Sequence, residues 1–216
     1  FTKQFTFKDH QEDSHLLIIV VLLTLLFYFF IIPDEGIFSI LLAVISSVST
    51  SGISIYSSNF DVSLFFILMT IIGGSLISTS SGFKYIRFYI LLKISYQEIY
   101  KLVKPKNIFN RNLFRSDSQF DDQDTKIAFL VFISFIFAIF ILSSILALDT
   151  LSFENSFKLS ILTLTNTVAS SIYGMDNLMF FDMNSFTKMS LMIFMIFGKI
   201  EIIALLFLIK KFIFRE

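Results

Sequence analysis

The chain reads as an all-α integral membrane protein made of two tandem units, each a span, a short helix, a polar turn and a second span. Three observations predict this. First, 55% of the 216 residues are hydrophobic and the mean hydropathy is +0.79, far above what a water-facing surface tolerates. Second, two stretches of near-membrane length carry no charge. Third, the pattern around those stretches recurs at a fixed offset. The same figures nearly exclude a soluble globular enzyme. Seventeen basic residues against seventeen acidic ones argue against a nucleic-acid binder, which would show a basic excess. With no Cys in the chain, disulfides, thiolate metal sites and cysteine nucleophiles drop out together.

Taken in order, residues 1–15 form a polar N-terminal segment. Leu16 to Ile32 (LLIIVVLLTLLFYFFII) then runs 17 residues without a charge, and about 20 apolar residues cross a ~30 Å hydrocarbon core. Asp9, Glu12 and Asp13 precede it and no small-residue cleavage site follows, so it reads as a span and not a secretory leader. Ile37 to Val48 (IFSILLAVISSV) is half the length needed to cross, as is Asn155 to Leu164 (NSFKLSILTL). Such segments are re-entrant helices or amphipathic helices lying on the surface.

Val62 to Leu92 is apolar at both ends and interrupted by GGSLISTSSG. Gly73 to Gly82 holds three Gly and five Ser/Thr in ten residues, so helix propensity is poor and hydroxyls can satisfy freed backbone groups. Close helix packing through small residues is the other reading. Ile127 to Leu148 is an uncharged 22-residue span, and Met189 to Ile209 has span length but carries Lys199 and Glu201 near its middle. The expected organisation is a first unit over 16–92, a linker over 93–126, a second unit over 127–212 and a tail over 213–216.

Charge sets the sidedness. Lys93, Lys101, Lys104, Lys106, Arg111, Arg115 and Lys126 lie in or beside the linker, and Lys3, Lys8, Lys210, Lys211 and Arg215 at the ends, whereas Pro33 to Asp61 has no basic residue. The positive-inside rule makes both termini and the linker cytoplasmic. The two short helices then enter from the outer face.

At an offset of 116 the short helices superpose, STSGIS falls on TNTVAS, and Gly82 falls on Gly198. The units run parallel, and the repeat rests on hydropathy and spacing more than on identical letters. A helix that enters halfway and returns as extended chain leaves carbonyls free at membrane depth, which is tolerated only in protein or beside a watery path. The two turns are small, hydroxyl-rich and uncharged. Carbonyl and hydroxyl oxygens without carboxylates suit a dehydrated monovalent cation, and the partially negative C-terminal ends of the short helices favour one too. Ordinary Ser/Thr turns would explain one such copy, but two at equal spacing favour the pathway.

The runs SSVSTSGISIYSSNF (46–60), IIGGSLISTSSGFKYIRFYILLK (71–93), LTNTVAS (164–170) and FGKIEIIALLFLI (197–209) resemble the membrane subunit of Trk/Ktr-type potassium transporters over nearly the whole chain. The resemblance implies four span–pore helix–span repeats around one pore, of which this chain supplies the third and fourth, the N-terminal half of the subunit being missing. It implies that Thr50, Ser51 and Gly52 form one quarter of a potassium selectivity filter and Asn166, Thr167 and Val168 another. It implies an intramembrane gating loop with Gly73, Gly74, Ser78, Thr79 and Gly82, and a pore charge at Lys199, where the family usually has Arg. Val168 departs from the family's glycine, and a β-branched residue resists positive φ, which leaves a sodium-permeable cation transporter as an alternative.

Further implications are uptake by a gradient-driven or symport route in the bacterial inner membrane, a homodimer, and a cytosolic nucleotide-binding regulatory subunit on loops such as the linker. Potassium is then substrate, with no cofactor on the chain and no metal other than K+ at the filter. Lys84 and Arg87 are placed at the cytoplasmic interface, snorkelling from the end of the span. A non-transporting membrane anchor or assembly subunit is the alternative from another class. An intramembrane enzyme is disfavoured, because no paired carboxylates, nucleophile–base set or phosphate loop is present. His10 and His15 lack a third ligand nearby. Asp121, Asp122 and Asp124 read as a solvated turn, and most of the 30 Phe as lipid-facing bulk.

Overall fold

The computed structural model describes residues 11–31, 36–53, 62–75, 78, 80–104, 120–149, 151–175, 180 and 183–199. Helix α1 spans Gln11–Leu26 and widens into a π-helical turn over Phe27–Ile31; α2 is Ile37–Val48, α3 Ser63–Ile71, α4 Tyr85–Val103, α5 Asp122–Ala147, α6 Phe153–Leu164 and α7 Ser185–Lys199. The first helix begins five residues before the uncharged stretch, with Glu12 and Asp13 in its first turn, where acidic side chains complement the helix dipole.

Among the described residues two helices are long and apolar enough, by length and composition, to cross a bilayer: Glu12–Phe30 and Asp122–Ala147. The expected span over 62–92 is instead two helices, because α3 ends at Ile71 and α4 starts only at Tyr85. Between them Ile72–Gly73 and Phe83–Lys84 pair as a two-residue parallel ladder, Ile72 with Phe83 and Gly73 with Lys84, which closes the intervening loop on itself. Glu201 and the second half of the 189–209 stretch lie outside the described residues, as do His10 and Thr79.

The core gathers around the two short helices. Ile40 and Val44 of α2, Leu162 and Leu164 of α6, Phe66 of α3 and Leu142 of α5 are all buried in one cluster, and the Phe27 ring stacks on Phe66 at 5.2 Å. Helix α5 contributes Val131, Phe135, Ile139, Leu142 and Leu146, a spacing of three and four that aligns them on one face. Its opposite face exposes Phe129, Phe137 and Phe140, so the phenylalanines divide between core and outer surface. The acidic turn before α5 caps it: the Asp121 backbone N–H donates to Asp124 Oδ2 at 2.9 Å. At the other end Asp149 accepts from Asn184 N (3.1 Å), Asn184 Nδ2 (2.8 Å) and Thr187 Oγ1 (2.7 Å), fastening the start of α7 to the end of α5. Lys93 of α4 lies over the Tyr89 and Phe120 rings at 5.9 and 5.8 Å, and burial lowers its pKa from the ordinary lysine value.

Candidate functional site: paired turns and an internal loop

Helices α2 and α6 are both 12 residues long, and each end of one lies 116 positions from the matching end of the other. Their C-terminal turns match bond for bond. Ser49 N–H donates to Ile45 O at 2.8 Å and Thr165 N–H to Ile161 O at 2.9 Å; Thr50 N–H reaches Ser47 O at 3.2 Å and Asn166 N–H reaches Thr163 O at 3.1 Å; Ser51 N–H to Ser46 O and Thr167 N–H to Leu162 O are both 2.9 Å. This is the Schellman arrangement, which places the residue after the cap in the left-handed region. Thr50 has φ +59° and Asn166 φ +51°. Asn tolerates that conformation, whereas a β-branched Thr is strained there. The hydroxyls close ranks around each turn, Ser46 with Ser51 at 3.0 Å and Thr165 with Thr167 at 2.8 Å.

The turns then diverge by one residue type. Gly52 has φ +74°, while its counterpart Val168 lies outside the left-handed region and points an exposed side chain outward. The two positions touch: a Cβ on Gly52 would sit 2.5 Å from the Val168 carbonyl oxygen and 2.6 Å from its nitrogen. Glycine is therefore required at 52 both for its φ and for this backbone contact. Tyr173, fully buried, ties the second turn region to the first helix through a 3.2 Å hydrogen bond between its hydroxyl and Ser47 Oγ.

The described residues of the loop between α3 and α4 bond to one another through polar groups. Gly74 N–H donates to Ser80 Oγ at 2.9 Å, Ser78 Oγ to Ser75 O at 2.8 Å, and Ser78 Oγ lies 2.6 Å from Ser80 Oγ. Gly82, at φ +90°, turns the chain back into the ladder. The expectation for Lys84 is corrected here. It does not snorkel to an interface but is buried, with Nζ donating to Ser80 O (2.7 Å), Ser78 O (2.8 Å) and Ser75 O (3.4 Å). The ladder explains the reversal, since pairing of Gly73 with Lys84 sets the side chain beside the loop it closes.

Loop and second turn are joined through Asn166, whose Nδ2 donates to Ser81 Oγ at 3.1 Å and to Met195 O of α7 at 2.9 Å. Gly198 presses its Cα against the end of α6, and a Cβ there would overlap the Leu164 carbonyl. Lys199 follows at the last described position of α7 and is exposed. Between α1, the first turn and the loop lies an open pocket of about 260 Å³ lined by Val20, Ile45, Val48 and Ser49 on one side and Gly74, Ser78 and Ser80 on the other, its surface mostly apolar. Among the described residues no group of three His, Asp or Glu side chains is placed to hold a metal ion.

No family model matches the chain, and no curated protein matches it by sequence. The structure, however, superposes on the crystal structure of the potassium transporter TrkH from Vibrio parahaemolyticus with a TM-score of 0.78, over 91% of this chain at 22% identity. The fold is that of TrkH. The TrkH-like chain spans 43% of the length of that transporter.

The geometry brings all six sequence-nominated turn residues to the Gly52–Val168 contact or its supporting bonds, and Asn166 additionally reaches the loop. Ser51 and Thr167 hold the Schellman bonds, and Gly73, Gly74, Ser78 and Gly82 all sit in the closed loop. Lys199 makes none of the hydrogen bonds described above. Sequence reasoning missed Tyr173, Asp149 and the inward turn of Lys84. The last had a signal: an ionisable residue between Phe83 and Tyr85 in an apolar segment is a functional candidate by default.

Proposed function

We propose that this chain forms two span–pore helix–span repeats of a potassium pathway through a bacterial inner membrane, with both ends of the segment cytoplasmic. The observation that carries the reading is the pair of identical helix-terminal turns that meet at Gly52 and Val168. Two helix C-termini converging on uncharged oxygen-rich turns make a region of negative potential without a carboxylate, which suits a monovalent cation that sheds its water against carbonyl and hydroxyl oxygens. Thr50, Ser51 and Gly52 are one quarter of that filter, Asn166, Thr167 and Val168 another, and repeats in the rest of a longer subunit supply the other two. Support also comes from the two bilayer-length apolar helices and from the TrkH-like fold. A transporter of this kind does no covalent chemistry and needs no cofactor.

Beyond the filter the cation enters the cavity between Ser49 and the loop, and the loop of Gly73, Gly74, Ser78, Thr79 and Gly82 gates its exit, with the positive charge of Lys199 tuning passage. The assembly is a homodimer regulated by a cytosolic nucleotide-binding partner on the 93–126 side. A second reading, a pathway that also passes sodium, is favoured by one observation: Val168 does not take the left-handed conformation that Gly52 takes, so the filter backbone is unequal around its axis.

The test is complementation. A potassium-uptake-deficient bacterium expressing the full-length gene should grow at low potassium, and Gly52→Asp should abolish that growth, because any side chain at 52 drives into the Val168 backbone. Growth retained with Gly52→Asp at equal membrane expression would remove the filter from these turns and leave a membrane anchor as the better account.

A further inference from the structure

We propose that Lys84 is the latch of the internal loop: its ammonium is the cation around which Ser75, Ser78 and Ser80 gather, and the loop leaves the pathway when that cation is withdrawn. The inference rests on the gating role given to the loop above. An ammonium carries three N–H donors and no acceptor, and Lys84 Nζ donates to three backbone carbonyls of the loop. Three carbonyl dipoles converging on one point repel one another unless a positive charge sits among them. A lysine that is only 6% exposed is in turn costly unless its donors are satisfied. Each side thus needs the other, and the arrangement has two natural states, latched or apart. The backbone ladder at Gly73 and Lys84 anchors the base of the loop, the serine hydroxyls bond within it, and the Lys84 side chain adds the one charged tie among the described loop contacts.

Position makes the latch sensitive to the transported ion. Ser78 and Ser80 hold Lys84 through their carbonyls and also line the 260 Å³ cavity that faces Ser49. A monovalent cation arriving in that cavity repels the ammonium and competes for the same class of oxygen ligand. Entry of the ion from the filter therefore weakens the closed loop, and an empty cavity lets it close. Lys84 acts here as a positioning residue, through the loop and not by coordinating the ion.

The test uses the full-length protein in liposomes, with rubidium influx and amide hydrogen exchange of the loop as two readouts. Lys84→Met should raise both initial influx and loop exchange by about tenfold, the scale of losing a charge-assisted hydrogen bond, and Lys84→Arg, which keeps charge and donors, should stay near wild type. In the wild type, loop exchange should rise when potassium replaces a large impermeant cation; in Lys84→Met it should not respond, a dependence that a merely structural lysine would not produce. Adding Gly52→Asp to Lys84→Met should abolish influx while loop exchange stays high. Influx that survives Gly52→Asp would overturn the pathway reading. Influx blocked by Gly52→Asp but unchanged or lowered by Lys84→Met would overturn the latch alone. Should Lys84→Met fail to fold, the wild type still decides: loop amides protected without potassium and released by it support the latch, and amides exchanging at free-chain rates in both conditions overturn it.

Discussion

Asn166 carries three duties at once: it takes the left-handed conformation of the second turn, donates to Ser81 of the loop and donates to Met195 of α7. Replacing it with Asp keeps the conformational tolerance but removes both donors and adds a charge. Asn166→Asp should therefore leave the protein folded yet uncouple loop from turn, seen as faster loop amide exchange with little change in the α6 helix. Equal protection in both proteins would show that the amide contacts do not hold the loop. Val168 offers a second prediction. Glycine at 168 can adopt the φ that Gly52 has, which equalises the two turns. Val168→Gly in the full-length protein should raise the potassium/sodium permeability ratio, measured by competing influx; an unchanged ratio would mean that this backbone needs no glycine. For Lys199, whose side chain is exposed at the end of the described α7, the account expects Lys199→Ala to alter the rate of uptake. A rate equal to wild type would take the pore charge out of the mechanism.

Elements show which parts of the fold were legible in the sequence. Helix α2 occupies Ile37–Val48, the segment that hydropathy delimits, and α6 begins at Phe153, two residues before the expected start, because Ser152 caps it by accepting from the Asn155 N–H. The interruption after α3 was legible because glycine and serine density is a local property. Its internal form was not: closing the loop by a parallel pair between residues 72–73 and 83–84 depends on contacts that no periodicity encodes. Lys84 was misread for the same reason. A lysine at the edge of an apolar stretch snorkels by default, and only the ladder turns it inward. Asp149 belongs to this scale as well. Its three acceptor contacts place a carboxylate at the N-terminus of α7, where it satisfies donors and complements the dipole. Asp149→Ala should cost about 1–2 kcal/mol, read as a lower thermal midpoint of the detergent-solubilised protein, with α7 the first helix to gain exchange. A midpoint equal to wild type would show that this clasp carries no stability.

Across the whole molecule, what the sequence could not supply is the set of long pairings that join the two turns and the loop: Ser47 with Tyr173, Ser81 with Asn166, Asn166 with Met195, and the meeting of Gly52 with Val168. These join residues 29 to 126 positions apart, so each is invisible to any local window. One of them joins residues 116 positions apart, the offset at which Thr50 falls on Asn166 and Gly52 on Val168 in the sequence. The central claim is that a monovalent cation sheds its water where those two turns meet. Anomalous diffraction from crystals of the full-length protein grown with thallium(I), a potassium surrogate, addresses it directly. The account predicts an anomalous peak bounded by the turns at Thr50–Gly52 and Asn166–Val168, lost when Gly52 is replaced by Asp. A wild-type crystal with no thallium between those turns would contradict it.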